Sequence, residues 1–192
     1  MKQLVIGLHG LARTGKDTAA RYLAAHYALL SYAFAEPLKA AIMQMFNLTA
    51  EHIEGALKEE PLPGIGKSPR QLMQLLGTDW GRDMVHRELW LLLAEQNLNH
   101  MAALHQDPIT GFILRDVRFE NEADWVRSKG GVIVHIHRPE AQAVASHASE
   151  SGIGVHDNDF VIHNDEDLPH LYKQLDRLMG VLMRRQSLRS AA

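Results

Sequence analysis

The stretch GLHGLARTGKDTAA, residues 7–20, constrains this chain more than any other. From Gly10 it reads G-x-x-x-x-G-K, followed by Asp17 where Ser or Thr is usual, and then Thr18. Residues 4–8 before it form an apolar run suited to a buried strand. From Lys16 to about Tyr27, Ala19, Tyr22, Leu23 and Tyr27 fall on one helical face. A strand that passes through two glycines straight into a helix lets successive backbone N–H groups turn inward on an anion, and the helix adds its positive end. Gly10, Arg13, Thr14, Gly15, Lys16, Asp17 and Thr18 are therefore the candidate phosphate-binding set, with Lys16 able to reach the β- and γ-phosphates of a nucleoside triphosphate. Asp17 has two readings of equal weight. It is a hard oxygen ligand for Mg²⁺, or an acid that complements the dipole of a helix's first turn.

The rest of the chain alternates strand and helix. Short strands are expected in LLSYAF, GFILRD, VIVHIHR and DFVIHN, and helices over EPLKAAIMQMF, ELWLLLAEQNL and FENEADWVRSKGG, the last closed by Gly130 or Gly131. ELWLLLAEQNL is apolar on nearly all sides and reads as a buried helix. Residues 58–69 hold three prolines and two glycines and read as a long loop. A helix starts near Ser68 with Pro69 in its first turn, and Leu72, Leu75 and Leu76 make its buried stripe. Leu168, Leu171, Leu175, Leu178 and Leu182 mark a terminal helix, and the tail RRQSLRSAA is expected to fray. Strands that are apolar runs rather than strict alternations argue for a parallel sheet covered on both faces, an α/β fold. Ligands in such sheets bind beyond the carboxyl ends of the strands.

Other charged residues gather at those ends. Asp116, flanked by Arg115 and Arg118, follows the FIL strand, where it can hold Mg²⁺ or accept a proton while Arg118 grips a phosphate; a salt-bridged strand end is the plainer reading. Arg138 follows VIVHI and opens a segment carrying His147 and Glu150, which is either a water-excluding lid or an ordinary surface helix. Lys67, Arg70, Gln74, Trp80 and Arg82 group beside the long loop as a candidate acceptor pocket, although singly Trp80 reads as core and Arg70 as a solvated charge. His135 and His137 share a strand face but lack a third ligand at metal spacing, so they read as surface or packing residues.

Composition narrows the classes. The 192 residues fit one domain with a small insertion. The net charge of −3 disfavours a broad nucleic-acid or anionic-membrane surface, and no stretch has the apolar length to span a bilayer. The absence of cysteine excludes disulfides and thiolate metal sites and fits a cytoplasmic protein.

GLHGLARTGKDTAA, SYAFAEPLKAA, KSPRQLMQLLGTDWGRD, LRDVRFENEADWVRSKGG, HASE and DFVIHN, in this order, resemble the phage-type deoxynucleoside monophosphate kinases. The resemblance implies a three-layer P-loop kinase fold with a central parallel sheet, an acceptor-binding helical insertion over about 36–105 and a short lid over about 138–156. It implies transfer of the ATP γ-phosphoryl group to a deoxynucleoside 5′-monophosphate with Mg²⁺. The loop residues 10 and 13–18 would then hold the donor with Arg138 at the lid, and Lys16, Asp116 and Arg118 would act in catalysis. Asp17 and Asp116 would face the metal, and Lys67, Arg70, Gln74, Trp80 and Arg82 the acceptor. The implied partners are small nucleotides, without nucleic acid or membrane, and a homodimer stays open. Rival readings are another small-molecule kinase of the same fold, such as one acting on dephospho-coenzyme A, and a regulatory nucleotide switch. The N-K-x-D signature of guanine-reading switches is absent.

Overall fold

The structure is a computed structural model, described for residues 3–139 and 152–190. Among the described residues, β1 (Leu4–His9), β2 (Leu29–Tyr32), β3 (Gly111–Leu114), β4 (Val132–His137) and β5 (Phe160–His163) form one parallel sheet in the order β2-β3-β1-β4-β5. β1 is central, with Ile6 opposite Ile113 on one side and Val132 on the other. The near-continuous apolar composition of β1, β3 and β4 follows from burial on both faces, whereas β5, at the edge, exposes Val161 and His163.

The chain divides into two compact units, Met1–Ala33 with Leu98–Ala192, and Phe34–Asn97. In the first, α1 (Lys16–Tyr27) and α7 (Leu168–Ser190) cover one face of the sheet. Ile6, Leu8, Val134, Ile136 and Ile162 point to that face and pack with Leu23 of α1 and Leu171, Leu175 and Met179 of α7. Tyr22 stacks on Tyr172 at 4.1 Å between ring centroids, and the hydroxyls of Tyr22 and Tyr27 both donate to Asp176 of α7. On the other face lies α6 (Glu120–Ser128). A side chain at Gly7 of β1 would strike Ile133 and Val117, so glycine lets this helix layer close on the sheet. The three layers are therefore α1 and α7, the sheet, and α6. Gly130, at φ 77°, ends α6 as expected.

The second unit is helical, with α2 (Glu36–Phe46), α3 (Ala50–Glu54), a 3₁₀ turn (Ala56–Glu59), α4 (Pro69–Gln74), a π-helical run (Leu75–Val85) and the start of α5 (Leu89–Leu104). Ser68 caps α4, its hydroxyl accepting from the N–H of Gln71 while the Gln71 side chain accepts from the N–H of Ser68. The π-helical run accommodates Trp90, whose indole N–H donates to the Gly77 carbonyl at 2.7 Å, and whose ring leaves no room for a side chain at Gly81.

Four expectations need correction. Leu75 is 38% exposed, because winding changes from i→i+4 to i→i+5 at that residue and a face drawn at 3.6 residues per turn no longer holds. α5 is amphipathic rather than buried all round: Trp90, Leu91, Ala94 and Leu98 are inside, while Leu92, Glu95, Gln96 and Asn99 lie on the solvent side. The 58–69 loop begins inside the 3₁₀ turn, and α3 precedes it. The tail does not fray within the described residues, since α7 continues to Ser190.

Candidate active site

β1 ends at His9 and α1 begins at Lys16, so residues 10–15 make the whole connection. Gly10 approaches β4 so closely that a Cβ there would stand 2.4 Å from the Ile136 carbonyl oxygen, and φ at Gly15 is 101°. Neither position tolerates a larger residue without moving backbone. Thr14 is buried and its hydroxyl donates to the Leu11 carbonyl, while Arg13 is exposed at φ 65°. The Lys16 ammonium lies over the loop and donates to the carbonyls of Gly10 (2.7 Å) and Leu11 (2.8 Å). Asp17 is exposed in the first turn of α1, with Thr18 half-buried beside it.

The tip of β3 supplies the opposing charges. One Asp116 oxygen lies 3.8 Å from the Lys16 ammonium and the other accepts from Nε of Arg118 at 2.7 Å. Asp116 thus stands between Lys16 at the end of the loop and Arg118 beyond the strand, so that the strand-end ion pair and the loop lie side by side. Glu122, buried on α6, accepts from the backbone N–H groups of Arg118 and Phe119 and so fixes the bend that aims Arg118.

His9, which no motif marks, joins the site. Its Nδ1 meets the Val117 carbonyl at 2.9 Å, and since a carbonyl only accepts, Nδ1 carries the proton and Nε2 the lone pair. Burial, aided by nearby His135 and Lys16, holds its pKa below the ordinary 6.5. His9, Gly10, Lys16, Arg118 and Gly152 line one small cleft. His135 on β4 packs edge-on to His9 at 5.3 Å, and its Nε2 donates to Asp159 at 3.2 Å. Burial lowers the pKa of His135 too. Asp159 in turn accepts from Arg127 of α6 at 2.7 Å and from the His156 N–H at 2.9 Å. Burial alone would raise its carboxyl, but Arg127, the His156 amide and His135 outweigh it and hold the pKa at about 2. Arg127 also donates to the Gly154 carbonyl, and Glu120 accepts from the Gly154 N–H. Segment 154–159 is thereby clamped to α6. Among the histidines, His135 is a buried packing residue and His137 is exposed, in keeping with the sequence reading.

The expected acceptor residues all lie in the helical unit. Arg70 pairs with Glu59, Lys67 is exposed, Gln74 and Arg82 are half-buried, and Trp80 is 46% exposed rather than core. Arg138 is exposed just past β4; the remainder of the expected lid, with His147 and Glu150, lies in 140–151, outside the described residues.

A parallel sheet whose central strand launches a glycine loop into a helix, with lysine at the first position of that helix and Asp and Arg just beyond the neighbouring strand, is the arrangement of a P-loop kinase. The deoxynucleotide monophosphate kinase family model matches residues 4–68 and 66–175, and the chain belongs to that family. A protein of Acanthamoeba polyphaga mimivirus, provisionally described as a deoxynucleotide monophosphate kinase, is 32% identical over 90% of this chain and 94% of its own. The deoxynucleotide monophosphate kinase of Enterobacteria phage T4 is 24% identical over 93% of this chain and 99% of its own. The crystal structure of TT1252 from Thermus thermophilus shares the fold, with a TM-score of 0.52, 17% identity and coverage of 95% of this chain and 99% of that one.

Proposed function

We propose that this chain transfers the γ-phosphoryl group of ATP to a deoxynucleoside 5′-monophosphate, giving the diphosphate. The observation that carries the reading is the loop 10–15 between β1 and α1, with Lys16 directed toward Asp116 and, through it, Arg118. Such transfer needs little covalent chemistry from the protein. It needs two phosphates held in line and their developing charge neutralised. In this reading the amides of the loop and Lys16 hold the β- and γ-phosphates, helped by Arg13, Thr14 and Thr18. Arg118 meets charge on the transferred group, and Arg138 assists from the lid over about 138–156.

The donor set suits a hard divalent cation, since Asp17 offers an exposed carboxylate on α1 and Asp116 a second one at the tip of β3. When bound there, Mg²⁺ would neutralise phosphate charge that the lysine and arginine alone leave over. The acceptor is assigned to the helical insertion over about 36–105, with Lys67, Arg70 and Arg82 toward its phosphate and Trp80 and Gln74 toward its base. The substrates are small nucleotides. No described helix is long and apolar enough to cross a membrane. The reading implies the cytoplasm, where MgATP is abundant.

The test is incubation of purified protein with MgATP and each nucleoside and deoxynucleoside monophosphate in turn, scoring diphosphate formation. Turnover with deoxynucleotides upholds the reading. Turnover only on a non-nucleotide acceptor would replace it with another small-molecule kinase, and nucleotide binding without turnover would replace it with a switch.

A further inference from the structure

The residue closing β5 is tied to the phosphate loop from outside. Asn164 is 8% exposed, its backbone N–H donates to the His137 carbonyl, and its side-chain amide Nδ2 donates to the Thr14 carbonyl at 2.8 Å. A Cβ on Gly15 would stand 2.5 Å from that same nitrogen. The amide is thus packed against one particular peptide of the loop, the one joining Thr14 to Gly15. A peptide is planar and trans, so its N–H points opposite to its C=O. Holding the Thr14 carbonyl toward β5 therefore sends the Gly15 N–H the other way, to the concave side of the loop. The Thr14 hydroxyl bond to Leu11 fixes the same residue from its side chain.

We propose that Asn164 is a positioning residue for phosphoryl-donor binding: its amide orients the Thr14–Gly15 peptide so that the Gly15 N–H is preset to donate to a phosphate oxygen of the nucleoside triphosphate. The inference rests on the assignment of the donor to this loop. Asn at this position also explains the strictness of Gly15, which must both adopt a left-handed φ and leave space for the amide. The sequence carries the residue at the end of DFVIHN, but nothing local links it to a loop 150 positions away.

Asn164→Asp provides the test, because it keeps the shape and removes the donor. A carboxylate facing the Thr14 carbonyl repels it, whereas a protonated carboxyl can donate to it as the amide does. The titratable residues nearest along the chain and the β4 pairing are His163, Asp165, His137 and, across Gly15, Lys16; wild-type protein at each pH controls for them. The expected result is a KM for ATP raised at least tenfold at pH 8.5, with the KM for the monophosphate little changed; the ATP KM falls as the pH is lowered far enough to protonate the carboxyl. Asn164→Leu should show the raised KM at every pH. A role in folding alone would instead lower the melting temperature of both variants and leave their KM for ATP at the wild-type value, and that outcome overturns the proposal. So does an Asp variant whose ATP KM equals the wild-type value at pH 8.5. If the wild-type protein shows no ATP-dependent turnover, it is the donor assignment that has failed, and the two failures are told apart by that control.

Discussion

The Arg127–Asp159 pair invites a quantitative test. The Asp159 side chain is 1% exposed, and Arg127, the His156 amide and His135 surround its carboxylate. Its pKa falls from 3.8 to about 2 on folding. At about 1.4 kcal/mol per unit, this shift contributes about 2 kcal/mol at neutral pH. Because the folded pKa is depressed, the contribution is full above the unfolded value and is lost as pH falls toward about 2. By pH 3 about 1 kcal/mol of it should be gone. Urea unfolding of wild type and Asp159→Asn at pH 7, 5, 4 and 3 should show the gap between them narrowing by that amount, with the change confined to the acid end. Arg127→Met should cost more at pH 7, about 3–5 kcal/mol, since it strands a buried charge. Arg127→Met/Asp159→Leu should recover part of that loss. A gap that stays constant from pH 7 to 3, or a cost below about 1 kcal/mol for Arg127→Met, would refute the account.

Further outcomes can be checked on the same protein. Lys16→Met should lower kcat by about 10²–10³-fold while shifting the melting temperature by no more than about 4 °C, measured by coupled assay and calorimetry. Asp17→Ala should raise the Mg²⁺ concentration giving half-maximal rate without changing the maximal rate severalfold, seen by magnesium titration at saturating nucleotide. Gly10→Ala should abolish nucleotide binding by calorimetric titration even where the circular dichroism spectrum is retained, because its Cβ would overlap the Ile136 carbonyl oxygen. His9 and His135 have folded pKa values below 6.5, so their contribution is present above that pH and lost as pH falls below it; wild type should begin to destabilise just under pH 6.5, and His135→Gln should weaken that dependence.

The parts legible in the sequence are those whose signals are local. Residues 4–27 declare a strand, a loop and a helix because the apolar run, Gly10, Gly15 and the Ala19–Leu23 face are adjacent, and Ser68 with Gln71 announces the start of α4 in the same way. The π-helical run is invisible to a 3.6-residue period, which fits its first residues and misplaces Leu75. α3 has only the residues Ala50–Glu54, too few for periodicity to register, with Thr49 as its cap. In the candidate site, motif and strand-end position are enough to nominate Lys16, Asp116 and Arg118, which lie side by side. The ties that hold them are not legible in that way. His9 to Val117, Arg127 to Asp159 and Asn164 to Thr14 are separated by 108, 32 and 150 positions, and only the order of strands in the sheet brings them together.

The place of β1 between β3 and β4 bears on how firmly the loop that leaves it is anchored. An outer strand can peel away while the others stay paired; a middle one can be freed only by parting the sheet on both sides. The amides of Ile6 and Leu8 should accordingly exchange with deuterated solvent among the slowest in the molecule, at the rate of complete unfolding. A connection that looks like surface turn is in this way moored at its start to the most durable part of the protein, and its first residues should stay in place as long as the sheet itself does.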